Sequence, residues 1–144
     1  VERDVPHTAI DMDWLRCSFP RPSGDPFNVE LGCRNLADIA RNICALGVTR
    51  FVIADVVETR DQRERYCEAI PSAEVVIIRL TAGIERIRER IAQRQGAYPD
   101  PWEPARAAEL IRIMDESDVS DVAIELWCRS PREVAEEVVR WLGW

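Results

Sequence analysis

The chain has 144 residues, 47% of them hydrophobic and 31% charged, which fits one globular domain with a single core. Its longest apolar runs, such as Val75-Val76-Ile77-Ile78, are far too short to cross a bilayer, and a formal charge of -7 spread along the chain weighs against a nucleic-acid partner. All 19 basic residues are arginine, so chemistry that needs a lysine, such as a Schiff base or a P-loop lysine, has no place in these residues.

Val5 to Asp11 reads as a short strand ending in carboxylates. Trp14 to Glu30 is rich in Pro, Ser, Gly and Asp and reads as a loop or a broken helix. Asn35 is placed to cap the next helix, whose positions Leu36, Ile39, Ala40, Ile43 and Cys44 follow the helical period until Gly47 ends it. Arg50 to Val57 is an apolar, β-branched run that suits a strand covered on both faces of a parallel sheet.

Thr59 then caps a short charged helix from Arg60 to Ile70, with Tyr66, Cys67 and Ile70 inward. Pro71-Ser72 break it, and Ala73 to Leu80 form another buried strand. Ile84, Ile87 and Ile91 mark the apolar face of a helix from about Gly83 to Gln95, and Gly96 to Pro101 is a loop. Pro104 fits the first turn of a helix to about Ser117, with Ala107, Leu110, Ile111 and Met114 inward. Val122 to Leu126 is a last strand, and Pro131 opens a final helix to about Leu142. The order β-α-β-α-β-α-α-β-α implies a parallel sheet with helices on both faces, in one α/β domain over residues 1–144.

The five cysteines are scattered, odd in number and never spaced C-x-x-C, which argues against a disulfide framework or a zinc site and for reduced thiols. Val1 to Pro6 shows no basic stretch leading into an apolar one, the pattern of a signal peptide, and a cytoplasmic protein is expected.

Several segments carry a resemblance: Ile-Asp-Met-Asp-Trp-Leu-Arg (10–16), the strand Phe51 to Val57 followed by Glu58-Thr59-Arg60, the Arg-rich helix 84–94, and the strand Val122 to Leu126 followed by Arg129-Ser130-Pro131. Together they resemble the P-loop small-molecule kinases of the adenylate, shikimate and adenylylsulfate kinase type. The resemblance implies a three-layer α/β/α fold with a mostly parallel sheet, together with ATP and Mg²⁺ as cofactors. Such kinases begin with a strand, a G-x-x-x-x-G-K-S/T loop and a helix, whose backbone N–H groups and lysine hold the phosphates. The six glycines here do not form that loop. The natural chain is therefore expected to extend N-terminally by one β-loop-α unit, on the order of 30 residues. The competing expectation is a domain that has lost the loop and rearranged.

The resemblance also implies roles. Asp11 and Asp13 would face the acceptor, binding or deprotonating a hydroxyl, or holding Mg²⁺ through water; otherwise they are loop acids, one of them capping a helix. Arg16 and Arg60 would hold the acceptor, against surface ion pairs, for Arg60 with Glu64. Asp55 would hold the metal, with Glu58 as the fallback, unless it is a buried acid satisfied by partners. Within the stripe Arg86, Arg90 and Arg94, the last two would clamp phosphates; the interleaved Glu85 and Glu89 fit a solvated face instead. Arg129 falls where the nucleobase loop passes, and Trp127 beside it would stack on a base or pack on Trp141 and Trp144. His7, the single histidine, reads as structural or surface.

The expected function is an ATP-dependent phosphotransferase acting on a small hydroxyl- or phosphate-bearing acceptor, catalytically incomplete over these residues. The alternatives are a kinase-like binding or assembly module, with a homodimer or partner surface, and a nucleotide hydrolase using a carboxylate pair and a metal without a P-loop.

Overall fold

The computed structural model describes residues 5–96 and 100–144, which form a mixed α/β structure of six helices and two parallel two-stranded sheets. These residues divide into two compact units. One runs to Val57 and resumes over Asp61–Val75; the other comprises Glu58–Arg60 and Val76–Trp144. No helix among the described residues is long and apolar enough to cross a membrane.

In the first unit, β1 (Thr8–Asp11) leads directly into the short α1 (Met12–Leu15). A loop then precedes α2 (Val29–Ala45), β2 (Phe51–Ala54) and α3 (Arg60–Ala69). β1 and β2 pair in parallel from Thr8–Phe51 to Asp11–Ala54. Paired residues share a face, and that rule sorts the pair cleanly. Thr8, Ile10, Phe51 and Ile53 point to the packed side, while Ala9, Asp11, Val52 and Ala54 are exposed.

The apolar run at Arg50–Val57 was expected to be covered on both faces. Only its first half pairs, and Val52 remains 48% exposed on an open face. The core lies on the other side, where Met12 and Leu36 are fully buried with Cys33, Ala40, Tyr66 and Ile70 around them. Cys33, Leu36 and Ala40 recur at helical spacing and form the inner stripe of α2. Cys67, expected inward, is exposed.

The start of α2 differs from the sequence expectation. The helix begins at Val29, and Asn35 lies inside it, its amide donating to the Leu15 carbonyl at 2.8 Å. The first-turn N–H groups are met by the Asp25 carboxylate, which accepts from Val29 and Glu30 at 2.9 Å each. Asn28, in the left-handed region at φ 50°, is the turn between them. At the far end Gly47 adopts φ 84° and closes the helix, as the sequence suggested.

In the second unit, β3 (Ile78–Thr81) is followed by α4 (Ile84–Gln95), α5 (Trp102–Ser117), β4 (Val122–Glu125) and α6 (Pro131–Trp141). The expected strand Ala73–Leu80 thus begins later, at Ile78. The expected loop at Gly96–Pro101 falls partly outside the described residues. β3 and β4 pair in parallel from Ile78–Val122 to Thr81–Glu125. The Asp121 carboxylate accepts from the Ile77 N–H at 2.7 Å before the ladder, and Leu126 N–H donates to Thr81 at 2.8 Å after it. Val119, Ile124 and Val134 are the buried apolar side chains. Pro131 occupies the first turn of α6, and Ser130 and Glu133 exchange backbone bonds in a full capping box.

Partial burial pushes the Asp25 carboxyl upward, but the Val29 and Glu30 N–H bonds outweigh it and hold its pKa below the ordinary carboxylate value. A folded-state pKa below the unfolded one contributes stability above the ordinary value, and that contribution fades as pH falls through the folded one. Asp25→Ala is expected to lower the urea midpoint at pH 7 and to converge on the parent protein in strong acid. An equal difference at both pH values would remove the capping role.

Candidate functional site

Two pockets lie beyond the carboxyl ends of parallel strands, one in each unit, where ligands of such sheets bind. In the first unit β1 ends at Asp11, whose carboxylate accepts from the Asp13 N–H at 3.0 Å and so caps α1. Asp11 is thereby committed to the backbone. Asp13, one residue into the helix, is exposed and lines a cavity of about 480 Å³ together with Arg16, Arg21, Phe27 and Asn28.

Behind this cavity stands a buried polar cluster. The Arg16 guanidinium donates through Nη2 to Asp55 Oδ2, and the Tyr66 hydroxyl donates to the same oxygen. The Arg16 and Asp55 side chains are 14% and 6% exposed, so the pair is largely withdrawn from water. Burial drives the Tyr66 phenol strongly upward, and its bond to Asp55 adds to that, so it stays protonated. Burial pulls Arg16 the other way, but the hydrogen bond and charge of Asp55 raise it, and the guanidinium stays cationic.

Asp55, expected at a metal, is therefore a satisfied buried acid with one oxygen committed to two donors. Glu58, the fallback, is ion-paired with Arg106. Among the described residues no group of three His, Cys, Asp or Glu side chains is spaced to hold a metal ion.

The second pocket, about 630 Å³, lies beyond β3 and β4 and is lined by Arg86, Arg90, Trp127 and Arg129 among others. It brings together Arg90 and Arg129, which the sequence reading had assigned to phosphate and nucleobase. Arg86 pairs with Glu89 at 2.8 Å, and Arg129 with Glu137 at 2.5 Å, so both are largely neutralised. Arg90 makes no ion pair among the described residues. Trp127 is 70% exposed. Arg94 lines neither pocket; it points to Glu103 at 2.7 Å. Arg60 also lines neither, standing exposed at the start of α3 without an ion pair to Glu64. His7 is exposed, its Nδ1 bonded to the Val5 carbonyl at 2.8 Å.

No protein-family model, curated protein or solved structure matches the chain.

Sequence reasoning missed Asn28, Arg21 and Tyr66 as site residues. The signal for Asn28 was the Asp25-Pro26-Phe27-Asn28 turn ahead of an apolar helix, passed over because the periodic stripe was counted from Leu36. Tyr66 was read as core, and only the fold brings it to Asp55.

Gly32 of α2 lets Arg16 pass close to the helix. A Cβ there would stand 2.8 Å from Arg16 Cγ and 3.2 Å from the buried Met12 side chain. Because Arg16 is held at its tip by Asp55, it has little room to retreat. Gly32→Ala is expected to destabilise the protein by about 1–3 kcal/mol in chemical denaturation, an overpacking cost. A neutral or stabilising result would mean that Arg16 is not tethered.

Proposed function

We propose that this chain is the acceptor-binding and lid part of an ATP-dependent phosphotransferase with a small acceptor. Its three-layer, P-loop kinase-like sheet would be completed by a strand, phosphate loop and helix outside these residues. The observation that carries this reading is the exposed Asp13, whose carboxylate makes no hydrogen bond or ion pair among the described residues, lining a pocket beyond a parallel strand next to an anchored arginine.

In this reading Asp13 accepts the proton of the acceptor hydroxyl as that oxygen attacks the transferring phosphoryl group. Arg16, fixed by Asp55 and Tyr66, holds its side of the pocket still and keeps the attacking group aligned. In the other pocket, Arg90 has an unspent charge for phosphate oxygens, and the exposed Trp127 ring is a surface for a base to stack on. ATP would supply the phosphoryl group, with Mg²⁺ as its companion in this reading, and no step is routed through the metal. The open face of the β1–β2 pair also supports a larger sheet, since parallel sheets are ordinarily covered on both sides.

The test is a polypeptide extended upstream in its reading frame. The added residues are expected to contain G-x-x-x-x-G-K-S/T, and the extended protein to transfer phosphate from ATP where the 144-residue chain does not. Asp13→Asn in that protein should slow transfer by about 10²- to 10⁴-fold. An upstream frame without the motif, or a rate that survives Asp13→Asn, overturns the reading.

A second reading, a non-catalytic assembly module, is favoured by the same open face of Ala9, Val52 and Ala54 and by the half-exposed Val56. It expects a mass that rises with protein concentration in sedimentation equilibrium; a monomer at every concentration counts against it.

A further inference from the structure

The first pocket is walled by parts of the chain that are each pinned in place. Asp13 follows the Asp11 cap at the start of α1, and Arg16 is tethered to Asp55. The loop from Cys17 to Asn28 folds back on itself. The Asp25 N–H donates to the Pro22 carbonyl at 3.3 Å, and the Asn28 N–H to the Asp25 carbonyl at 3.0 Å. The Asn28 side-chain amide then closes the loop on the Arg16 carbonyl at 2.9 Å. Arg21 belongs to this loop, and its Nη1 donates to the Pro26 carbonyl at 3.3 Å. That single bond leaves most of the guanidinium fork open.

Elsewhere in this unit arginines meet carboxylates: Arg34 and Arg65 meet Glu30, Arg41 meets Asp38, and Arg16 meets Asp55. Asp11 and Asp25 are taken up by backbone N–H groups. Asp13 and Arg21 differ. Both line the cavity and are exposed, neither has an ion pair among the described residues, and they are not paired with each other. The pocket therefore offers one open anion and one open cation on fixed backbone, while Arg16 is balanced by Asp55.

These two charges restrict the ligand. An anion satisfies Arg21 and confronts Asp13 with like charge, and a simple amine does the reverse. A neutral polyol gives neither a counter-charge. A molecule with an ammonium at one end and a carboxylate at the other meets both through charge-assisted hydrogen bonds, and the arginine fork suits the carboxylate bidentately. Asp13 also has a second oxygen for a hydroxyl on a carbon near the ammonium. Phe27, about half exposed, lines the same cavity and gives the carbon chain an apolar surface. A volume of about 480 Å³ accommodates a molecule of this size.

We propose that this pocket takes a small zwitterion, a hydroxylated amino acid, with its ammonium on Asp13 and its carboxylate on Arg21. The inference rests on the acceptor-pocket reading above and names the class of that acceptor.

The experiment is titration of the isotope-labelled 144-residue chain, without nucleotide, followed through the Asp13 side-chain carboxyl carbon and the Arg21 Nε–H resonance. The probes are serine, homoserine and isoserine, which vary the spacing of charges and hydroxyl. Ethanolamine carries only the cation, lactate only the anion, and glucose neither. At least one amino acid is expected to shift both resonances saturably at millimolar concentration, since ion pairs at exposed groups are weak. Ethanolamine, lactate and glucose should each bind about tenfold or more weakly than that amino acid. Asp13→Asn and Arg21→Gln, both at exposed sites, should each weaken its binding about tenfold while the other resonances keep their positions. If a single-charge or neutral molecule binds as well as the amino acids, or if no amino acid moves both resonances, the proposal is overturned. The control molecules decide this on the unaltered chain, whether or not either variant folds. The two readings also separate. Amino acid binding without phosphoryl transfer in the extended protein leaves this proposal standing and removes the kinase, and transfer to an acceptor lacking either charge does the reverse.

Discussion

The guanidinium of Arg16 meeting the carboxylate of Asp55 is the contact on which the first unit is organised. Removing a carboxylate from water is costly unless its oxygens are met, and Asp55 is met twice on one oxygen, by Arg16 and by the Tyr66 hydroxyl. The three side chains come from the loop after α1, the end of β2 and the middle of α3. The cluster therefore ties the carboxyl edge of the β1–β2 pair to the helix that follows it. Its position also makes the pocket possible. The Arg16 carbonyl accepts from the Asn28 amide, and both residues line the cavity. Gly32 is the complementary concession in α2, since any side chain there would meet Arg16.

Each unit has its own pocket. The first is lined by the exposed Asp13, the tethered Arg16 and the buried Asn28. The second is lined by Arg90, which makes no ion pair among the described residues, and by the exposed indole of Trp127. In both, the strand ends with a free backbone edge where side chains of several elements converge, as parallel pairing favours. Neighbouring arginines differ sharply in availability. Arg86 and Arg129 are spent on glutamates and Arg94 on Glu103, and this leaves Arg90 as the one cation of the stripe whose charge is open to a ligand.

Much of the secondary structure was legible because it depends on local rules. Gly47 closes α2 at a positive φ, Pro131 and the Ser130–Glu133 box start α6, and the spacing of Ile84, Ile87 and Ile91 marks α4. The errors fall where a local rule had a competitor. Asn35 has the side chain of a cap, but Asp25 reaches the helix start first, and the amide of Asn35 instead holds the Leu15 carbonyl. Arg50–Val57 has the composition of a doubly covered strand, yet pairing stops at Ala54, and the outward Val52 and Val56 are about half exposed. Composition reports what a strand tolerates, not what covers it.

By itself the sequence determined the alternation of strands and helices, the helix ends set by glycine, proline and capping residues, and the exclusion of lysine chemistry. Each follows from residue type or from spacing within one turn or one strand. The partner of Asp55 was beyond its reach, because Arg16 lies 39 residues away and Tyr66 lies 11 away on another element. So was the choice between Asp11 and Asp13: the two differ only in that one caps a helix and the other faces a cavity. Those matters are decided by which side chains the tertiary fold brings within hydrogen-bonding distance, and by which polar atoms it buries without a partner.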